Sequence, residues 1–173
     1  MKDDERYNDN INIGNAHLMF KNFSGEQGKY NAQGNRNFCV EIDPETADVL
    51  LADGWNVRTL AAKEPGYDDI KYLQVKVQYT EKSKPIIWLF TESDGKRIAQ
   101  NKLTEENINM LDWAEIAKVD LVIRPYHYDV NGKKGIKGYL KSMYVTIKED
   151  PFAGKYFDVP DSAYSSVTGS DID

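Results

Sequence analysis

VDLVIRPYHYDVNGKKGIKGYLKSMYVTI, residues 119–147, decides how this chain folds. Asn131-Gly132 suits the two positive backbone angles of a tight hairpin turn. The flanking runs, Val119 to Val130 and Lys134 to Ile147, are rich in the β-branched and aromatic residues that fill strands. The spacing predicts a long terminal hairpin. Pro125 brings no N–H to a ladder, so its strand lies at an edge or bends there.

Upstream, Tyr72 to Tyr79 (YLQVKVQY) has the cleanest period of two, with Leu73, Val75, Val77 and Tyr79 facing one way and Tyr72, Gln74, Lys76 and Gln78 the other. Ala16 to Phe23, Arg36 to Ile42, Trp55 to Ala61 and Pro85 to Glu92 also have strand character, the last closed by a turn at Ser93-Asp94-Gly95. Between the first two lies SGEQGKYNAQGN (24–35), whose small and polar residues predict a mobile loop. Asp43-Pro44 offers an N-cap and a proline at the first helical position, Ala47, Leu50 and Leu51 form a short stripe, and Gly54 stops the helix. A second helical segment is expected from Thr104, with Ile108, Leu111 and Ile116 packing. Seven strands and two short helices in no regular alternation disfavour a doubly wound sheet. The expected fold is mainly β, an antiparallel OB-like barrel with two short helical insertions and a disordered acidic C-terminal tail.

The chain has 173 residues, 40% hydrophobic and 29% charged, the mix of one globular domain. No apolar run reaches membrane-span length and the first ten residues are too polar for a signal peptide, so a cytoplasmic protein is expected. The net charge of -6 would argue against a nucleic-acid partner. Its placement does not. Residues 1–10 carry four acids against Lys2 and Arg6, and residues 149–173 carry six against Lys155 alone, which leaves the body near neutrality, at about +1. From residue 158 the sequence is rich in Ser, Asp and Gly without apolar periodicity, as a segment unable to offset its ordering entropy would be. The expected organisation is a polar segment (1–10), a folded domain (11–157) and a flexible acidic tail (158–173).

Catalytic readings find little support. A single cysteine, Cys39, excludes an internal disulfide and sits in a strand, where a buried inert thiol is the common case. His17 and His127 have no spacing that predicts a site, and Asp68-Asp69 and Glu105-Glu106 fit a solvated loop and a first helical turn. No metal, cofactor or catalytic residue is expected. Gly132-Lys133-Lys134-Gly135 matches a GXXG phosphate clamp, but that clamp joins helices and strands flank it here. Trp55, Trp88 and Trp113 are expected to pack, Trp88 in the core.

Aromatic and basic residues interleave more informatively. Arg124, Tyr126 and Tyr128 share one parity on the terminal hairpin, as do Lys137, Tyr139 and Lys141 on its partner and Tyr72 and Lys76 on theirs. Such a surface stacks unpaired bases while holding phosphates. The same alternation also arises where tyrosine merely favours strands and lysine lies along sheet edges.

The segments FKNFSG (20–25), KYNAQGNRNFCV (29–40), ADGWNVRTL (52–60), YLQVKV (72–77), the stretch from Met110 to Ile147 and DPFAGKY (150–156) resemble a group of small bacteriophage OB-fold single-stranded DNA-binding proteins, over residues 12–157. The resemblance implies a replication or recombination accessory that coats exposed viral single strands in the host cytoplasm, without sequence preference and without catalysis. The acidic end is similar to the tails with which such proteins recruit replication or recombination partners and compete with DNA for a basic groove. Those tails often end on an aromatic residue, whereas this one ends Ser170-Asp171-Ile172-Asp173.

Strand parity and resemblance together assign Arg36, Arg58, Lys76, Arg124, Lys133, Lys134, Lys137 and Lys141 to phosphates, and Tyr72, Tyr126, Tyr128 and Tyr139 to bases. The 24–35 loop, with Lys29, Tyr30 and Arg36 at its edge, is expected to close over the strand. The rival reading is a non-enzymatic module that engages a host or phage protein through its acidic surface. The oligomeric state is left open.

Overall fold

The computed structural model describes residues 9–149. The expected acidic tail, 158–173, and nearly all of the polar segment 1–10 lie outside the described residues. Among those described, the order is β1 (Ile11–Ile13), β2 (Leu18–Asn22), β3 (Arg36–Ile42), helix α1 (Pro44–Asp53), β4 (Val57–Leu60), β5 (Ile70–Val77), β6 (Ile86–Ser93), β7 (Lys96–Leu103), a short 3-10 helix (Ile108–Asp112), β8 (Ile116–Val130) and β9 (Lys133–Lys148).

The terminal hairpin is present, with Asn131 at φ 53 and Gly132 at φ 81. Its second strand organises the sheet. One edge of β9 carries β8 throughout, while the other pairs in parallel with β5 at Gly138 and Tyr139 and then with β6 from Ser142 to Lys148. β5 runs on to β3 and β3 to β2, β4 takes the rest of β5's edge, β1 adds to β8 and β7 to β6. Two points of the expected fold are corrected. The sheet is open and mixed, because β9 receives two parallel neighbours. The second helical insertion is a 3-10 turn of five residues. Ile108 and Leu111, both fully buried, lie three apart, a spacing that serves either helix type.

α1 forms as its sequence dictates. The Asp43 side chain accepts from the Thr46 N–H at 3.0 Å, and those bonds hold its carboxyl below the usual range. Gly54, at φ 103, donates back to the carbonyls of Leu50 and Leu51. Ala47 and Leu50 are buried, whereas Leu51 is exposed.

One core joins all the layers, with Phe38, Val40, Leu73, Val75, Ile87, Leu121, Ile123, Met143 and Val145 nearly or wholly inaccessible. Two alternation breaks keep it continuous. Leu18 faces Val40 while Phe23 is fully buried, five residues on, so strict alternation would put one of them outside. The break falls at Phe20, which takes φ 50 and turns outward. On β9, Leu140 and Met143 are both buried three residues apart, and Lys141 is the extra residue between the pairs Ile123/Leu140 and Val122/Ser142.

The tryptophans divide. Trp55 is buried, as expected. Trp88 is only half-buried and stands on the outward side of β6, opposite Tyr144 and Lys102, because Ile87 and Leu89 take the inward positions. Trp113 is 71% exposed rather than packed.

Candidate nucleic-acid interface

The register sets one outward row across four strands. Asn37 on β3 lies opposite Lys76 on β5, Lys76 opposite Tyr139 on β9, and Tyr139 opposite Arg124 on β8. Beside it, Tyr126 pairs with Lys137 and Tyr128 with Gly135. The parity read from sequence therefore holds for Tyr72, Lys76, Arg124, Tyr126, Tyr128, Lys137 and Tyr139, which share this side of the sheet.

Their side chains touch. The Tyr126 and Tyr139 rings meet edge to face with centroids 5.4 Å apart, the Arg124 guanidinium lies 4.8 Å from the Tyr139 centroid, and the Lys137 ammonium lies 5.0 Å from that of Tyr128. Two hydrogen bonds steady the row. Arg124 donates to the Ser83 hydroxyl at 3.1 Å, and the Asn56 amide donates to the Tyr128 hydroxyl at 3.0 Å. Gly135 makes room for that phenol, since a methyl group there would run into the Tyr128 hydroxyl and Asn56 Oδ1. Asn56 is itself placed by its N–H bonding the Ile136 carbonyl at 3.1 Å, so the segment after α1 braces the hairpin.

Electrostatics favour an anion here. Burial, and then the neighbouring charge of Lys137, push the Lys76 ammonium below its ordinary pKa. The opposite charge of a phosphate would offset both effects. Next to Lys76 a groove of about 410 Å³ runs between β5 and the 24–35 loop, lined by Tyr30, Arg36, Asn37, Tyr79 and Tyr139.

The remaining assigned residues sit differently. Arg58 on β4 is exposed opposite Tyr72. Lys133 and Lys134 are exposed at the hairpin tip, Lys134 lying 4.0 Å from Asp129. Lys141 is exposed but belongs to the β9 bulge, out of register with Lys137 and Tyr139. Arg36 is committed to the protein: it donates to the Phe23 carbonyl at 2.9 Å, pairs with Glu105 at 3.2 Å and lies over the Tyr79 ring. Its side chain is mostly covered and three of its five N–H groups are engaged, so it is less available to a phosphate than the cations of the row.

The 24–35 loop is also better tied than its composition suggests. Gly28 and Asn31 bridge, the Asn31 amide donates to the Glu26 and Asn35 carbonyls, and Asn37 donates to Asn31 Oδ1 at 2.9 Å. Tyr30 projects from it almost wholly exposed.

Sequence reasoning missed Phe20. It stands 61% exposed with its ring edge-on to Tyr72, centroids 6.1 Å apart. Alternation alone assigns it inward, and only the odd spacing of Leu18 and Phe23 signals the break.

Elsewhere, His17 sits beside Glu41 and His127 lies opposite Ile136. Cys39 is 6% exposed, and burial pushes its thiol up to about 11 against the opposing charge of Arg58. Among the described residues, no group of three or more His, Cys, Asp or Glu is placed to hold a metal ion.

Two solved structures share this architecture. The single-stranded DNA-binding protein of bacteriophage Enc34 superposes with a TM-score of 0.50 at 12% identity, covering 91% of this chain and 90% of that one. The same protein in complex with single-stranded DNA gives 0.50 at 11% identity over 83% and 89%. At these identities the likeness is one of fold. No curated protein sequence gives a significant match. A family model for the phage ssDNA-binding domain matches residues 1–173, and the chain belongs to that family.

Proposed function

We propose that single-stranded DNA crosses the outward face of β5, β9 and β8, with residues 11–157 as an OB-like binding domain. The observation that carries this reading is the row of Lys76, Tyr139 and Arg124 flanked by Tyr126, Lys137 and Tyr128, in which rings and cations alternate within contact distance. Tyr72, Tyr126, Tyr128 and Tyr139 stack bases, whose π-faces are alike enough that binding tolerates any sequence. Lys76, Arg124 and Lys137 meet phosphates in the row, Arg58, Lys133, Lys134 and Lys141 at its margins. Nothing in this task needs a catalytic group: the protein holds and protects strands exposed while phage DNA is replicated or recombined in the host cytoplasm. The acidic tail competes for the same cations and recruits replication or recombination proteins.

Fluorescence anisotropy with labelled oligo-dT tests the assignment. Affinity is expected to fall with salt, by a slope of about 0.7 per phosphate contact. A Tyr126→Ala/Tyr139→Ala double variant should bind more weakly at every salt concentration, by roughly 1 to 3 kcal/mol per lost stack, with the slope unchanged. Absence of salt-sensitive binding by the wild type overturns the reading.

A further inference from the structure

The bulge in β2 has a simpler solution than the one this chain uses. Core continuity demands that alternation break between Leu18 and Phe23, and this chain makes the break with a residue at positive φ. Glycine or asparagine adopts φ 50 readily, whereas a bulky side chain there is a conformational outlier. The chain instead holds a phenylalanine at that position and leaves its ring largely in water. Strain and apolar exposure at one residue mark a side chain retained for contact with something outside the fold.

Its surroundings say what. On one side Phe20 meets Tyr72 edge to face, and Tyr72 lies on the DNA-binding side of the sheet. On the other a groove of about 460 Å³ opens, lined by Phe20, Lys21, Glu26, Gln27, Asp112 and Trp113. Trp113 is the most exposed tryptophan, and its position is fixed from below. The Asp112 carboxylate accepts from the Phe23 N–H at 2.7 Å, the Ser24 N–H at 3.0 Å and the Ser24 hydroxyl at 2.6 Å, which pins the 3-10 helix to the end of β2. Those three donors also occupy the acid. Lys21 donates to the Leu111 carbonyl at 2.8 Å, which places its ammonium on the groove wall. Two exposed rings and a cation, continuous with a row of base-stacking tyrosines, fit a nucleobase and its phosphate, with the Asp112 carboxylate turned to its three donors and Glu26 the exposed acid of the wall.

We propose that Phe20 and Trp113 form a further base-stacking subsite that extends the single-strand path beyond Tyr72. The subsite rests on the DNA face assigned above and adds a second end to it.

Trp113 supplies its own reporter, since Trp55 is buried and Trp88 half-buried on β6. Titration of the full chain with oligo-dT of about twenty nucleotides, longer than the site of a single OB domain, should quench tryptophan emission. Trp113→Phe should abolish most of the quench. Phe20→Gly should bind about tenfold more weakly. Glycine suits φ 50, and that relief offsets the entropy glycine adds to the unfolded chain, so this variant should melt within a few degrees of the wild type, which separates lost stacking from lost folding. An undiminished quench in Trp113→Phe, or wild-type affinity in Phe20→Gly, overturns the subsite. If Tyr126→Ala/Tyr139→Ala then still loses binding, the main face stands without it. If the wild type binds no strand, both fall.

Discussion

Lys76 carries a charge that its surroundings disfavour. Burial and Lys137 both lower its pKa from the ordinary 10.5, so at alkaline pH the unfolded chain binds more protons than the folded one and stability rises with pH through that window. Below it, the charged lysine is a net cost to the fold. Lys76→Met should therefore raise the melting temperature at pH 7 while weakening binding of oligo-dT, a trade of stability for function. Bound phosphate favours the protonated amine, so wild-type affinity should fall as pH climbs from 7 toward 10, sooner than an ordinary lysine would allow. A variant that melts below the wild type, or binds as tightly, contradicts this account. At the same scale, sequence gave away which tyrosines and lysines face outward together, because period two needs no knowledge of partners. It concealed the fate of Arg36, because the pairing with Glu105 spans 69 positions.

Two glycines of β9, three residues apart, separate packing from function. A methyl group at Gly138 would come within 2.8 Å of Ile123 Cγ2, in the core, whereas one at Gly135 meets the far ends of two side chains, Tyr128 at its hydroxyl and Cζ and Asn56 at Oδ1. Gly138→Ala should cost about 1 to 3 kcal/mol of overpacking and lower the melting temperature by several degrees. Gly135→Ala should leave that temperature nearly unchanged but tip Tyr128 off Asn56, weakening oligo-dT binding a few-fold. Equal effects of the two on stability, measured by thermal unfolding, would refute the distinction. Legibility follows the same division among elements. The terminal hairpin and α1 declare themselves through Asn131-Gly132, Asp43-Pro44 and Gly54, residues whose backbone chemistry is local. β7 (KRIAQNKL) is concealed by its polar composition: as an edge strand it needs few apolar side chains. β1 is three residues long, too short for any period to show. The parallel contacts of β9 with β5 and β6 join segments some 55 to 65 residues apart, and they changed the expected antiparallel barrel into an open mixed sheet.

For the whole molecule, the distribution of charge matters more than its sum. Deleting residues 158–173 removes Asp158, Asp161, Asp171 and Asp173 and no base, which takes the net charge from -6 to -2. If the tail competes for the cationic face, the truncated protein should bind oligo-dT more tightly at low salt, with the advantage vanishing as salt screens both anions. Unchanged affinity at low salt would leave the tail no part in binding. The position of β9 has one more consequence, in the order of synthesis. β5, β6 and β8 all take it as a neighbour, and it is the last strand among the described residues, so a ribosome must deliver residue 148 before any of the three has its full set of hydrogen bonds. Until then the nascent chain carries unsatisfied strand edges. Folding waits on this strand, and a chain broken inside it yields not a smaller domain but a sticky one.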